Sequence, residues 1–344
     1  MLQRSGTWVG ATARDIARAV RRGDTSATAV VADHLDAVVS HDRIVNAFRL
    51  VRPEAVAESE IVDEQPELGD LALAGVPIAV KENTAVTGLP TWNGSNAARR
   101  PIADADHEVV RRLRGAGAVV LGVTRMSELG AFGVTDDVTG ITRNPWRTDR
   151  TAGGSSGGAA AAVAAGLVPI AHANDGMGSL RIPAACCGLV GVKPGRGVVP
   201  SDTEGNDLFA LSEHGVLATT VGDAALGFFV LAGRAPQRLV PPQRLRVACS
   251  LRSPVPGVWP DNGARRSLSA AARTLVALGH DAVWAHPAYP VTAGARSLAT
   301  WFATAHVEAE AAGVDVDDLQ PRSRRQVALG RFAPHAPLTY LRRR

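Results

Sequence analysis

The 344-residue sequence has few cysteines, few aromatic residues and no long apolar stretch. Its three cysteines, Cys186, Cys187 and Cys249, form one adjacent pair and one remainder, so they provide neither a disulfide framework nor the ligand spacing of a metal site. We therefore expect a reducing, cytoplasmic setting and no bound metal. Aromatic residues make up 4% of the chain, too few for a stacking surface that binds nucleic acid.

Signals for secretion or membrane insertion are also missing. The N-terminus lacks a basic segment followed by an apolar core, and the longest run of small apolar residues, 159–165, is too short to cross a bilayer. The net charge of +4 includes arginine clusters near 322–325 and at 342–344, which are typical of a solvated face or of a weak anionic contact. We expect a protein without a membrane or nucleic-acid partner.

Apolar periodicity predicts an α/β fold. The run 75–80 is typical of a buried strand that ends at Lys81, and a helix around 109–113 leads to a second strand over 118–122. Strands and helices that alternate in this way favour a sheet covered by helices, and no repeat or compositional break divides the chain, so we predict a single domain over residues 1–344. Further helices are predicted over 11–22, after Thr25 or Ser26, and over 224–231, 263–278 and 293–311, with a strand over 245–248.

Lys81 is the first candidate for chemistry. A lysine on the surface is a charged ammonium, whereas desolvation at the end of a buried strand lowers the pKa and makes the neutral amine available as a base. Taken alone, the segment is also typical of a surface lysine that merely ends a strand.

A glycine-rich segment, 153–158, precedes an alanine-rich helix at 159–165. Its glycines leave backbone N–H groups open, and the start of a helix adds positive potential. A phosphate-binding loop is disfavoured because its Gly-Lys-Ser/Thr ending is missing, and a flexible linker because apolar residues resume at once. The segment also fits the G-x-S-x-G nucleophile elbow centred on Ser155, but that elbow needs a buried strand just before it, and 145–150 is polar and charged.

The third candidate segment, 174–183, places Ser179 directly after Gly176-Met-Gly178. Successive backbone N–H groups at such a position can converge on an oxyanion, and each preorganised donor is worth roughly 3–4 kcal/mol. Taken alone, this pattern is also typical of a glycine-rich turn between a strand and a loop.

In order and spacing, the three segments together resemble the amidase signature family. The match includes Arg143-Asn-Pro-Trp146 before the glycines, the spacing of Ser155 and Ser179, and Cys187-Gly-Leu-Val-Gly-Val-Lys-Pro194 after them. Weaker similarity extends over about residues 11–332, which is most of the chain.

The resemblance implies a fold and a function. The fold is a central mixed β-sheet flanked by helices on both faces, with a signature core over about 68–222. The function is hydrolysis of a small-molecule carboxylic amide to a carboxylate and ammonia or an amine, without metal or organic cofactor. Ser179 is then the nucleophile of an acyl-enzyme, Lys81 the general base and Ser155 the proton bridge, with a cis peptide bond before Ser155. The resemblance also implies an oxyanion hole built from the backbone N–H groups of Gly176, Met177, Gly178 and Ser179.

The sequence departs from the family pattern in places. Met177 stands where most members carry glycine; if the position needs a positive φ, methionine is strained, and otherwise its side chain re-lines the pocket, which we favour. Glu82 replaces a common aspartate, which we expect to matter little. Members usually continue well past the region that matches 321–330, so we expect the part 236–344 to be shorter than is usual, and it stays open whether the chain is truncated and its sheet incomplete at the C-terminal end.

Two other functions stay open. One is the amidase subunit of a tRNA-dependent amidotransferase, which would hydrolyse glutamine within a heteromeric complex. The other is a catalytically weak or inactive amidase homologue that acts as a binding partner. A homodimer is compatible with the sequence, and the nine histidines, including His172, are expected to be spectators.

Overall fold

A computed structural model describes residues 8–97, 101–201, 212–253, 255 and 257–332. Its helices span Ala13–Arg22 (α1), Ala27–Val45 (α2), Ala55–Asp63 (α3), Glu108–Gly115 (α4), Gly157–Ala164 (α5), Arg181–Cys187 (α6), Val221–Leu231 (α7), Asn262–Ala277 (α8), Ala293–Ala311 (α9) and Pro321–Gly330 (α10). Short 3-10 helices cover Leu68–Asp70, Glu128–Gly130 and Val316–Asp318. The strands span Phe48–Val51 (β1), Pro77–Lys81 (β2), Val119–Thr124 (β3), Asp136–Asp137 (β4), Gly140–Ile141 (β5), Arg143–Asn144 (β6), Arg147–Thr151 (β7), Ile170–Asp175 (β8), Val190–Val192 (β9), Glu213–Ala218 (β10), Arg246–Cys249 (β11) and Asp281–Trp284 (β12).

The main sheet has six strands in the order β1-β3-β2-β8-β10-β9. The central pairs β3–β2 and β2–β8 are parallel, whereas the outer pairs β1–β3, β8–β10 and β10–β9 are antiparallel. Every residue of β2, β3, β8 and β10 is buried, which requires helices on both faces of the sheet. The predicted mixed α/β fold is therefore confirmed.

Helix α5 lies against the sheet at very short range. Its residues are small, and seven of them are buried, from Gly157 to Val163. A Cβ on Gly158 would come within 2.4 Å of the carbonyl oxygen of Ala47 and 2.5 Å of the backbone nitrogen of Arg125. Only glycine permits this approach, which fixes the start of the helix, and with it Ser155, against the strands.

The local signals of the sequence are mostly found in the structure. The hydroxyl of Ser26 accepts from the N–H of Ala29 and caps α2, which follows the predicted helix start. The strand that ends at Lys81 is present as β2, with all its residues buried. Strand β7 precedes the glycine-rich segment, but all its residues are exposed, so the buried strand that a nucleophile elbow needs is not supplied by β7.

The chain divides into two compact units, one of residues 1–237 and 304–331 and the other of residues 238–303 and 332–344. The first contains the six-stranded sheet. In the second, β11 and β12 are parallel and are joined through α8. This helix is long enough for the crossover that two parallel strands need. The single domain expected over residues 1–344 stays a prediction. No helix among the described residues is long and apolar enough to cross a membrane.

Candidate active site

The candidate site lies at the carboxyl ends of β2 and β8. These strands are parallel neighbours, with Ile78 opposite Ile170 and Ala79 opposite Ala171. Since parallel strands end at the same edge of a sheet, this register brings Lys81 at the end of β2 beside the last residues of β8.

The side chain of Lys81 is buried, with 1% of the residue exposed. Its Nζ is hydrogen-bonded to Ser155 Oγ at 2.7 Å and to Asn174 Oδ1 at 2.6 Å. Ser155 is equally buried, and the Gly154–Ser155 peptide bond is cis, as the family resemblance implies. The structure thus brings two of the three predicted catalytic side chains into direct contact.

The titration of Lys81 is strongly perturbed. Burial lowers the pKa of its amine from 10.5 to about 7, although three carboxylates, those of Asp175, Glu82 and Glu308, act in the opposite direction. The chain has 37 basic residues, of which only Lys81 and Lys193 are lysines. Arginine cannot give up its proton in this pH range, so Lys81 is suited to act as a base where the abundant arginines are not.

The backbone of Ser155 is held from two sides. Its carbonyl oxygen accepts from the N–H of Ser127 at 3.2 Å and lies within hydrogen-bonding distance of Thr135 Oγ1, also at 3.2 Å. The same Thr135 hydroxyl accepts from the N–H of Gly157 at 3.1 Å, in the first turn of α5. This bonding fixes the Ser155 hydroxyl next to Lys81.

Ser179 lies next to this pair but is not hydrogen-bonded to it through its side chain. The Ser179 carbonyl oxygen accepts from the N–H of Ser156 at 3.0 Å, which ties the two serine segments together. Within the part of the chain that the structure describes, no hydrogen bond joins the hydroxyls of Ser179 and Ser155. Ser179 is half-buried, so its hydroxyl is more accessible than that of Ser155.

Asp175 organises the turn that carries Ser179. Its carboxylate accepts from the N–H groups of Gly178 at 2.7 Å, Leu180 at 3.3 Å and Arg181 at 3.2 Å. The Arg181 guanidinium donates two further hydrogen bonds, both at 2.9 Å. Burial of Asp175 acts to raise its pKa, but these hydrogen bonds outweigh it and hold the pKa below its ordinary value. Asp175 is therefore charged, and its carboxylate stabilises the turn by accepting hydrogen bonds from the backbone of the turn.

Of the four predicted oxyanion-hole amides, one is engaged in this structure. The Gly178 N–H donates to Asp175, whereas those of Gly176, Met177 and Ser179 donate to no acceptor among the described residues. Met177 does not have a positive φ, a conformation that non-glycine residues of the described chain adopt at Asn46, Asn93 and Leu129. The backbone strain considered for methionine at this position is therefore absent.

Sequence reasoning missed several residues of this neighbourhood. Asn174 lies in the third candidate segment, 174–183, and the sequence indicated no role for it, although it contacts Lys81 directly. Behind it, His172 Nε2 and His214 Nδ1 are hydrogen-bonded at 2.8 Å across β8 and β10. Burial, with the neighbouring His107 and Lys81, lowers the pKa of His214 to about 3, so this pair is neutral. A signal was available in the polar residues that interrupt two otherwise apolar strands.

A short loop forms a further wall of the site. Residues Glu128–Gly130 are a 3-10 turn, and a Cβ on Gly130 would lie 3.7 Å from Ser155 Oγ. Glu128 is buried and accepts from Ser95 Oγ at 2.9 Å and from the N–H of Gln320 at 3.1 Å.

Among the described residues, no group of three or more His, Cys, Asp or Glu side chains is arranged to hold a metal ion.

Comparison with known proteins places this geometry in a family. A family model described as Amidase matches residues 29–330. The chain belongs to the amidase signature family. AmiB2 of Mycobacterium tuberculosis is 39% identical over 95% of this chain and 72% of its own length. An acylamidase of Rhodococcus erythropolis is 39% identical over 68% of this chain and 49% of its own length.

Solved structures of amidase signature enzymes share the fold. A 6-aminohexanoate cyclic dimer hydrolase complexed with substrate superposes with a TM-score of 0.82 at 31% identity, covering 96% of this chain and 73% of that one. A bacterial aryl acylamidase superposes with a TM-score of 0.82 at 26% identity, covering 96% of this chain and 74% of that one. Family and structure together identify the chain as an amidase hydrolase.

Proposed function

We propose that this amidase hydrolyses a linear carboxylic amide to a carboxylate and ammonia or an amine through an acyl-enzyme on Ser179. Lys81 is the general base and Ser155 the proton bridge. The observation that carries the proposal is the buried Lys81 amine, which lies 2.7 Å from Ser155 Oγ and has a pKa of about 7. Such an amine is available in its neutral form near neutral pH.

The proton path runs through both serines. Neutral Lys81 accepts the Ser155 proton while Ser155 accepts the proton of Ser179, whose oxygen then forms a bond to the amide carbonyl carbon. The tetrahedral intermediate breaks its C–N bond, and the departing amine receives the proton from Lys81 by the same route. Water, deprotonated by the same route, then adds to the acyl carbon. The C–O bond to Ser179 breaks, Ser179 Oγ takes back the proton from Lys81 through Ser155, and the carboxylate leaves.

One movement is required before the first step. The Ser179 hydroxyl must turn toward Ser155, because the two are not hydrogen-bonded in this structure. A rotation about the Cα–Cβ bond of a half-buried serine is a small change, and catalytic hydrogen bonds commonly tighten only when substrate binds. The Ser156–Ser179 backbone bond keeps the two segments adjacent during this rotation.

The proposed oxyanion hole consists of the N–H groups of Gly176, Met177, Gly178 and Ser179. Three of these have no acceptor among the described residues, which favours their use by a substrate oxygen. Preorganised donors in such a turn need no rearrangement as charge develops, and each contributes roughly 3–4 kcal/mol to transition-state binding.

The names of the relatives suggest the substrate class. An acylamidase, an aryl acylamidase and a 6-aminohexanoate cyclic dimer hydrolase are all similar to this chain. We propose small-molecule amides as substrates and the cytoplasm as the location, since the three cysteines are free.

Two substitutions test the proposal directly. We expect Ser179→Ala and Lys81→Met to lose turnover of small amides by at least about 10³-fold, measured as ammonia or amine release.

Activity of the wild-type protein should rise with pH through a midpoint near 7, because Lys81 with a pKa of about 7 must lose its proton first. A fluorophosphonate should label the wild type at Ser179 and leave Ser179→Ala unlabelled.

Matched variants control for nonspecific effects. Ser40 is exposed on α2, and Lys193 donates to the carbonyl of Pro194, so Ser40→Ala and Lys193→Met should keep activity within a few-fold. Full turnover by Ser179→Ala would overturn the proposal. A wild-type protein that is folded but neither labelled nor active would instead indicate an inactive homologue, and glutamine hydrolysis within a stable heteromeric complex would indicate an amidotransferase subunit.

A further inference from the structure

Asn174 is the second residue, beside Ser155, whose side chain is hydrogen-bonded to the proposed base Lys81. It lies on β8, one position before Asp175, and 9% of it is exposed. Its Oδ1 accepts from Lys81 Nζ at 2.6 Å, the shorter of the two hydrogen bonds of that amine. Its Nδ2 donates to Asn83 Oδ1 at 3.1 Å, which fixes the orientation of the amide.

The hydrogen-bonding capacity of these groups sets the direction of the lone pair on Lys81. A neutral amine has two N–H donors and one acceptor lone pair, whereas an amide oxygen only accepts. One N–H of Lys81 is therefore committed to Asn174. The contact with Ser155 can then be made by the lone pair, which is the arrangement that removes the serine proton.

From this geometry we infer that Asn174 is a positioning residue, which turns the neutral Lys81 amine so that its lone pair faces the Ser155 hydroxyl. The inference rests on the proposed function, in which Lys81 is the base. Asn83 supports it from behind, because its Oδ1 holds the Asn174 amide in the orientation that presents oxygen, and not nitrogen, to the lysine.

A neutral acceptor suits this position better than a charged one. The carboxylates of Asp175, Glu82 and Glu308 already favour the protonated form of Lys81. Asp175 is paired with Arg181, and Glu82 with Arg49 at 2.8 Å, which moderates their effect. A further carboxylate in contact with the amine would hold it as an ammonium.

The imidazoles near the amine do not replace this acceptor. His172 and His214 lie on β8 and β10 and are hydrogen-bonded to each other. Burial, together with the neighbouring imidazoles, holds the pKa of both below the ordinary value, so they add no charge at neutral pH. The amide of Asn174 is the uncharged acceptor that contacts the lysine.

Two substitutions at this position separate orientation from charge. Asn174→Leu removes the acceptor, and we expect kcat to fall by about 10- to 100-fold while KM stays within about two-fold, since the lone pair loses its fixed direction. Asn174→Asp keeps shape and acceptor but adds charge. We expect its kcat midpoint to move upward by about 1–3 pH units, with most of the rate recovered above the new midpoint.

The control is a buried asparagine of the same unit that does not contact Lys81. Asn144 donates to the carbonyl of Cys186 at 2.8 Å, and Asn144→Asp should lower the thermal unfolding temperature but leave the kcat midpoint unmoved. If Asn174→Leu does not fold, the nearly isosteric Asn174→Asp carries the test by its pH profile.

The outcomes distinguish the inference from the function on which it rests. A shifted midpoint in Asn174→Asp with recovery at high pH supports the inference. Unchanged kcat and midpoint in folded Asn174 variants, together with an inactive Lys81→Met, would overturn the inference and leave the proposed function intact. Turnover by Lys81→Met would remove both.

Discussion

The two halves of the candidate site differ in how deeply they are buried. The half with the proposed base, called the base half below, consists of Lys81, Ser155 and Asn174. It is almost completely enclosed, with both Lys81 and Ser155 1% exposed. The loop with the proposed nucleophile Ser179, residues 175–181, is called the nucleophile loop below. It reaches the surface, where Met177 is 42% exposed and the Arg181 side chain 56% exposed.

Under the proposed mechanism, this difference in burial lets one site meet two conflicting needs. A base with a pKa near neutrality needs a dry environment, which the interior of the sheet supplies at the ends of β2 and β8. A nucleophile must be reached by substrate, so its loop cannot be stabilised by burial alone. Here the buried carboxylate of Asp175 takes that role and fixes the turn through hydrogen bonds to Gly178, Leu180 and Arg181.

Outside the proposed catalytic side chains, the largest effect should come from Gly178→Ala, which changes the nucleophile loop where it depends on backbone conformation. Gly178 has φ 122°, a conformation that L side chains rarely adopt, and an added Cβ would lie 2.9 Å from Ile182 Cδ1. We expect kcat/KM to fall by about 10²-fold or more and the free energy of unfolding by about 1–3 kcal/mol. Steady-state kinetics and urea unfolding measure the two effects.

Its control is Gly69→Ala, at an exposed glycine without a positive φ and with no atom within 4 Å of the added Cβ. That variant should match the wild type in both measurements. Adding Ile182→Ala to Gly178→Ala removes the contact but not the backbone strain, so little activity should return. Near-normal activity of Gly178→Ala alone would show that the loop does not need its present conformation.

The lowered pKa of Lys81 in the base half can be tested through the pH dependence of the free energy of unfolding. Lys81 has a pKa of about 7 in the fold against an ordinary value of 10.5, so between these values the unfolded chain binds more protons than the folded one. The wild type should therefore gain stability relative to Lys81→Met as pH rises through this window, by up to about 1.4 kcal/mol per pH unit. Below pH 7 the difference should level off.

Urea unfolding of both proteins at several pH values between 6 and 10 measures this gain. Lys193→Met is the matched control, since it removes the other lysine of the chain. Parallel curves for wild type and Lys81→Met would contradict a lowered lysine pKa, and would weaken the contrast between the two halves.

The same contrast separates what the sequence could predict from what it could not. Strand β2 was recognised because an unbroken apolar run ends at Lys81, and the start of α2 because Ser26 is a good cap. Both signals are local. The motif residues Ser155 and Ser179 were found through the family resemblance, which carries spacing but not side-chain direction.

Strands β8 and β10 were not recognised, because polar residues interrupt their apolar pattern. His172 and His214 satisfy each other across the two strands, and Asn174 is satisfied by Lys81 from β2. These hydrogen-bond partners are far apart in sequence. Only the order of the strands in the sheet shows that each of these buried polar residues has a partner.

The smallest effect should come from Met177, the immediate neighbour of Gly178. Its φ is not positive and the residue is 42% exposed, so Met177→Ala should leave kcat for a small aliphatic amide within about two-fold. KM for bulky aryl amides should change by less than about five-fold, since at most part of one side chain is lost from the mouth of the site. A loss of kcat above tenfold on the small amide would show that the methionine side chain itself holds the oxyanion loop, and the sharp difference expected between positions 177 and 178 would disappear.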